Sequence, residues 1–223
     1  MIWIFLGAPG AGKGTQAERM QADFGFVQVS TGELLREAMR AGTQLGKTVQ
    51  EYVTRGELVP DEVVASVLQE RLARGDTGNG VILDGFPRTV RQAEILEQIL
   101  ARHCWQLCGV LYLETPEEVV QQRLGGRRNC PQCGANYHVT TLPPKVDGRC
   151  DRCGTALVVR PDDTPEAIRK RLEVYHQQTE PLTAFYEGRG LLERIDASGE
   201  VEEVYRAVKE AVSRRWRQCL ENG

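Results

Sequence analysis

Residues 7 to 17 read GAPGAGKGTQA, four glycines in eleven positions, set between the apolar run Ile2 to Leu6 and the helix-like run KGTQAERMQADF. Glycine costs backbone entropy on folding, so its clustering at a strand-to-helix junction marks a backbone that must pass where side chains cannot. A strand, a loop of free N–H groups, a helix N-terminus and a lysine, in that order, make a cradle for an anion. Gly7 to Lys13 fit the phosphate-loop pattern G-x-x-x-x-G-K-[ST], but the next residue is Gly14 and the hydroxyl arrives one place late, at Thr15. The dinucleotide fingerprint G-x-G-x-x-G fails because Thr15 stands three places beyond Gly12, which sets a Rossmann dehydrogenase aside.

Outward from this loop, short apolar runs alternate with helical patterns. Strands are expected at 2–7, 26–30, 80–85, 108–115 and 191–197, the rhythm of a parallel α/β sheet. Thr115-Pro116-Glu117-Glu118 and Thr164-Pro165-Glu166 read as helix starts with a capping threonine and a first-turn proline. Pro181 should break or kink the second of these helices. Two regions interrupt the rhythm: 31–59, where helical pieces follow one another without a strand, and 126–163, rich in Cys, Gly and Pro.

The 223 residues are 41% hydrophobic and 26% charged, enough for one main domain plus a smaller insertion. Ile2 to Leu6 is too short for a signal-peptide core, and no later run nears the roughly 20 residues of a membrane span, so a cytoplasmic protein is expected. The net charge of −3 argues against a general nucleic-acid binder. Its 28 basic residues are mostly Arg, which suits phosphate recognition by a planar fork, although codon bias produces the same skew.

Cysteines supply a second motif. Cys130-Pro-Gln-Cys133 and Cys150-Asp-Arg-Cys153 have the C-x₂-C…C-x₂-C spacing of a four-thiolate zinc site. Four thiolates leave no open coordination position, so the Zn²⁺ is expected to be structural. Cys104, Cys108 and Cys219 share no ligand spacing and read as buried or idle thiols, disulfides being uncommon in the cytosol. His103, His138 and His176 read as non-catalytic, with His138 placed to support the cysteine-rich segment.

GAPGAGKGTQA (7–17), STGELLR (30–36), DGFPRT (84–89), RRNCPQC (127–133), RPDD (160–163) and RKRLEVYHQQTEPL (169–182) together resemble the adenylate kinase family, in order from residue 2 to about 213. The resemblance implies an α/β phosphate-loop kinase core with a five-stranded parallel sheet over 1–29, 60–125 and 164–223. It further implies a helical NMP-binding insertion at 30–59 and a small, mobile, zinc-bearing lid at 126–163. The implied activity is reversible phosphoryl transfer from ATP to AMP, with Mg²⁺, giving two ADP. A monomer acting on small-molecule nucleotides, with no nucleic-acid or membrane partner, is expected.

By the same resemblance Gly10, Ala11, Gly12, Lys13, Gly14, Thr15, Arg123, Arg127 and Gly199 surround ATP, while Thr31, Arg36, Glu57, Val59, Gly85, Arg88, Gln92, Arg160 and Arg171 surround AMP. Arg36 and Arg88 would hold the AMP phosphate, and Lys13, Arg88, Arg127, Arg160 and Arg171 would serve the transfer. Phosphate accepts phosphate without losing a hydroxyl proton, so the chemistry asks for positioning and charge neutralisation rather than a general base. Asp84, ending the run VILD, can orient water on Mg²⁺. Ser30-x-x-Glu33 fits a capping box, and Asp162 and Asp163 would pair with site arginines. Gln92 carries an amide suited to the adenine N6/N1 edge. Related uridylate-cytidylate kinases usually have Ala where this chain has Thr31, which favours AMP, whereas the donor could be ATP or GTP. A zinc-ribbon interaction module on a nucleotide-binding core is the rival from another class, opposed by the acidic total and the lack of interleaved aromatics.

Overall fold

The computed structural model describes residues 1–55 and 57–221. Five parallel strands form the central sheet in the order β2-β3-β1-β4-β7: β1 (Ile2–Leu6), β2 (Val27–Ser30), β3 (Val81–Asp84), β4 (Leu107–Glu114) and, last in the chain, β7 (Leu192–Asp196). The five strands expected from the sequence are these, within a residue or two.

Because a parallel strand is buried on both faces, its side chains divide between two cores. Ile2, Ile4 and Leu6 point to one side, packed with Leu68, Leu83, Phe86, Leu96 and Tyr186. Trp3 and Phe5 point to the other, with Ala17, Met20, Ile82, Val208 and Val212. The first core is roofed by α4 (Asp61–Leu72), α5 (Val90–Arg102), α7 (Pro165–Val174) and α8 (Leu182–Glu187). Against the second lie α1 (Lys13–Phe24) and α9 (Val201–Glu221). The chain leaves β1 toward the β2 edge and leaves β3 toward the β4 side, so the loops at the C-terminal ends of these adjacent strands diverge. Such a switch point opens the crevice in which α/β proteins bind ligands.

Two stretches depart from the simple alternation of strand and helix. α2 (Thr31–Arg40) and α3 (Gln44–Arg55) follow one another without a strand, and α6 (Glu117–Gly125) leads into a separate antiparallel pair, β5 (Arg127–Asn129) with β6 (Asn136–His138). The small cluster Cys130, Ala135, Tyr137 and Cys150, with Leu157 against it, is the only apolar core of that cysteine-rich segment among the described residues. The helix from Pro165 gives way to one π turn at Tyr175–Thr179 and resumes at Leu182, just after Pro181.

Local expectations require three corrections. Thr164 caps α7 through its hydroxyl to Ala167 N at 3.2 Å, but Thr115 does not cap α6. That helix begins at Glu117 behind Pro116, and the Thr115 hydroxyl is buried without a partner. The Ser30–Glu33 capping box does not form either: the Ser30 side chain makes no cap bond, and the Glu33 carboxylate pairs with Arg36 and Arg40. Finally, Cys108 and Cys219 are not idle thiols but a disulfide, tying the end of α9 to the start of β4 across 111 residues of sequence. No helix among the described residues is long and apolar enough to cross a membrane.

Candidate active site

Glycines at the end of β1 allow the loop to turn back on itself. Gly10 and Gly12 have φ of +86° and +91°, the left-handed region, and Gly12 stands at the N-cap of α1. No atom lies within 4 Å of where a Gly12 Cβ would be, so the backbone there faces open cleft. Gly12 and the first residues of α1, Lys13 to Thr15, line that cleft, the place an anion takes at a helix N-terminus. Lys13 folds over the loop and donates from Nζ to the carbonyls of Gly7 and Ala8, both at 2.8 Å. Burial lowers its pKa to about 8, with Asp84 opposing and Arg88, Arg171 and Arg127 reinforcing that shift.

Position 14, where the strict pattern has a hydroxyl, lies beside the carboxylate at the end of β3. A Cβ on Gly14 would stand 3.6 Å from Asp84 Oδ2 and 3.7 Å from Gln28 Nε2. Gln28 on β2 donates to that same Asp84 oxygen at 3.1 Å and so fixes its direction. Gln28 is not singled out by any motif; a polar side chain between Val27 and Val29 is the available signal.

On the far side of the crevice the Gly85 carbonyl gathers two side chains, accepting from Thr31 Oγ1 and from Arg88 Nε, each at 2.8 Å. Gly85 has φ of +79°, a left-handed turn that favours glycine, and a Cβ there would come within 2.9 Å of the movable end of Arg88. Arg36 pairs with Glu33 at 3.0 Å. Gln92 is buried to 1% exposure, yet the residue borders the cleft. Val59 is buried and Glu57 half exposed beside Arg55, and both border the cleft as well.

The remaining arginines come from the cysteine-rich segment and α7. Arg127 makes a two-pronged pair with Asp163, whose carboxylate is fully buried, and Arg171 reaches both Asp163 and Asp162 at 3.0 Å. Arg160 donates to Asn136 Oδ1 at 2.5 Å while its Nε is buried with no partner. Burial raises the Asp162 carboxyl, but Arg171, Arg127, Arg36 and Arg160 outweigh it and the net shift is downward. The guanidinium groups bear the opposite strain: burial and mutual repulsion lower Arg88 to about 10 and Arg160 to about 9. Lys13, Arg36, Arg88, Arg127, Arg160 and Arg171 line one cleft with Glu33, Asp84 and Asp162, while Asp163 lies buried against Arg127 and Arg171, which leaves the cleft cationic. A polyanion would relieve that repulsion.

Arg123 faces the cleft differently. Its guanidinium donates to the carbonyls of Ala197 at 2.8 Å and Gly199 at 3.1 Å, so its role here is to hold the loop after β7. Arg128 bonds neighbouring backbone and Arg169 is exposed. His103 stacks on Trp105 at the surface and His176 lies between Glu117 and Glu180, both away from this cleft. His138 does border it, with Nδ1 accepting from the amides of Thr140 and Thr141.

The whole cleft encloses about 660 Å³, within the range of small-molecule sites. The cysteine-rich segment leans over it: Cys133, Gly134, Asn136 and Tyr137 line its wall, and Arg152 reaches Glu18 of α1 at 3.5 Å. Within that segment the four sulfurs of Cys130, Cys133, Cys150 and Cys153 lie within 4.8 Å of one another. Cys130–Cys153 and Cys133–Cys150 are each 3.4 Å apart, near the roughly 3.8 Å that tetrahedral Zn–S bonds of about 2.3 Å would give. The donor set is compatible with a structural zinc ion.

A phosphate loop at the switch point of a five-stranded parallel sheet, with a second wall of arginines, defines a phosphate-loop nucleotide kinase. The adenylate kinase family profile matches residues 5–191. An adenylate kinase of Thermodesulfovibrio yellowstonii is 50% identical over 208 residues, 93% of this chain and 97% of that protein. Those of Carboxydothermus hydrogenoformans and Archaeoglobus fulgidus are 47% and 48% identical, covering 96% and 94% of this chain and 100% and 96% of theirs. The chain belongs to the adenylate kinase family, enzymes of phosphoryl transfer between adenine nucleotides.

Proposed function

We propose that the cleft transfers the γ-phosphoryl group of ATP to AMP and back, with the loop after β1 holding the donor and the Thr31–Arg88 wall holding the acceptor. The observation that carries this reading is the placement of the cations: Lys13 at the glycine loop, Arg36 and Arg88 on the opposite wall, and Arg127, Arg160 and Arg171 lining the same cleft, a cationic surplus spread over both walls. A polyphosphate and a monophosphate meeting end to end would neutralise it.

In the reaction an oxygen of the AMP phosphate forms a bond to the γ-phosphorus as the bond to the β-phosphate oxygen breaks. No proton has to leave a hydroxyl, so no general base is required. Lys13 would exchange its bonds to Gly7 and Ala8 for the β- and γ-phosphates, a move of its head group only. Arg36 and Arg88 would hold the acceptor phosphate, and Arg127, Arg160 and Arg171 would meet the charge spread over the transferring oxygens. Arg160 has an unpartnered Nε to offer, and Arg127 and Arg171 are kept in place by Asp162 and Asp163. Thr31, Gly85, Gln92, Val59 and Glu57 would surround the acceptor base, and Gly10 to Thr15, Arg123 and Gly199 the donor.

Mg²⁺ typically binds through one or two carboxylates plus phosphates and water, and Asp84, aimed by Gln28 beside Gly14, offers that one carboxylate. When bound, the ion neutralises charge between the β- and γ-phosphates. Residues 30–59 and 126–163 would be the moving parts, closing over bound nucleotide to exclude water. Zinc on the four cysteines would hold the second of these together, since its own core is only a few side chains.

Purified protein given ATP, AMP and Mg²⁺ should consume one AMP per ATP and yield two ADP, with GTP a poorer donor than ATP and CMP or UMP poor acceptors. Phosphate release without loss of AMP would overturn the proposal.

A further inference from the structure

We infer that Asp61, the first residue of α4, is a positioning residue that fixes which way the Gln92 amide faces and thereby sets the choice of acceptor base. The inference rests on the reading of Gln92 as facing that base.

Gln92 is held at three points. Its backbone N–H donates to Thr89 Oγ1 at 3.0 Å, its Oε1 accepts from Arg88 N at 2.7 Å, and its Nε2 donates to Asp61 Oδ1 at 2.8 Å. The Asp61 carboxylate also accepts from the Thr89 hydroxyl, at 3.0 Å on Oδ2. An amide has two near-identical orientations related by a half turn, and only its partners decide between them. Turned the other way, the Gln92 oxygen would face the Asp61 carboxylate and its NH₂ would face the Arg88 N–H. Both contacts are repulsive, so acceptor against acceptor and donor against donor exclude the flipped form. The native form leaves one N–H and one oxygen lone pair unused, and the residue borders the cleft.

That remaining pair matches one kind of base edge. Adenine presents a donor at N6 and an acceptor at N1, whereas a 6-oxopurine presents an acceptor and a donor. A free Gln92 could turn to suit either edge; one pinned by Asp61 and Arg88 suits only the first. A site whose polar groups are fixed rejects the mismatched ligand by leaving them unpaired, which is stronger discrimination than shape alone gives. Asp61 also has a plain structural use, as an acidic residue in the first turn of α4 packed near α5, and that use would not discriminate between bases.

Asp61→Asn keeps the shape of the side chain but can place a donor against Gln92. It is expected to raise KM for AMP about tenfold while the change in kcat stays small, and to lower the AMP-over-IMP preference in kcat/KM by about tenfold, the scale of one hydrogen bond lost. Gln92→Leu should lower the same preference, and in its background Asp61→Asn should change it no further. A side-chain amide of Gln92 protected from hydrogen exchange in the native protein is expected as well, and this readout does not depend on any variant folding. If Gln92→Leu leaves AMP kinetics and preference unchanged, the acceptor-pocket reading itself fails. If Gln92→Leu alters them but Asp61→Asn does not, or if the native amide exchanges like a solvated glutamine, the positioning role of Asp61 is overturned.

Discussion

Lys13 is a cation held in place by carbonyls and surrounded by other cations. Its pKa of about 8 means that the free protein loses this charge as pH rises through that value, well below an ordinary lysine. If the charged form is the one that binds polyphosphate, kcat/KM for ATP should fall above about pH 8, and Lys13→Arg, whatever its absolute rate, should lack that limb. A profile flat to pH 10 in the native enzyme would contradict the assignment. Arg88 lies opposite, bonded to Gly85, and its loss should fall on the acceptor: Arg88→Ala is expected to raise KM for AMP roughly 10- to 100-fold, the value of a charge-assisted hydrogen bond or two, with a much smaller effect on KM for ATP. An equal effect on both substrates would place Arg88 elsewhere. At this scale the sequence was legible where backbone geometry demanded a residue type, as at Gly10 and Gly12. It was not legible where a side chain chose among partners brought together by folding. Glu33 fits a cap by its spacing yet answers to Arg36 and Arg40, two cations on its own helix that its carboxylate meets at 3.0 and 2.8 Å.

Elements carry two staples of different legibility. Cysteine knuckles announce themselves through a local spacing, whereas Cys108 and Cys219 are 111 residues apart and meet only because α9 packs back across the sheet onto β4. Nothing in their sequence neighbourhood could have told a bonded pair from two buried thiols. Closing so long a loop restricts the unfolded chain, so without reductant Cys219→Ser should be less stable than the native protein by roughly 2–4 kcal/mol. With reductant the two should melt together; a persistent gap would mean that packing of the sulfur, not the bond, is what matters. For the other staple, elemental analysis should find one zinc per chain. Chelation or Cys150→Ser should lower the melting temperature clearly while ATP plus AMP turnover persists at low temperature, since the glycine loop and the Thr31–Arg88 wall lie in other elements. Metal-stripped protein that keeps its fold but loses all turnover, regained at once with zinc, would make the metal part of the chemistry.

For the molecule as a whole, the parallel sheet was legible because short apolar or β-branched runs alternate with helical patterns, and the departures from that alternation include α2–α3 and the cysteine-rich segment. What could not be read was how these parts touch. Arg152 on Glu18, and Cys133 and Gly134 on the cleft wall, bring a segment far along the chain over the first helix. If both segments move on hinges, a bisubstrate analogue joining two adenosines through phosphates should reduce the radius of gyration in solution scattering; an unchanged radius at saturation would argue for a rigid cleft. Beneath any motion lies the claim that the glycine loop and its lysine hold the phosphates in transfer. Lys13→Met, shown by melting and zinc content to be folded, should lose about 10³-fold or more in turnover of ATP plus AMP, the scale of removing a preorganised charge-stabilising donor. Turnover within a few-fold of the native enzyme would contradict it.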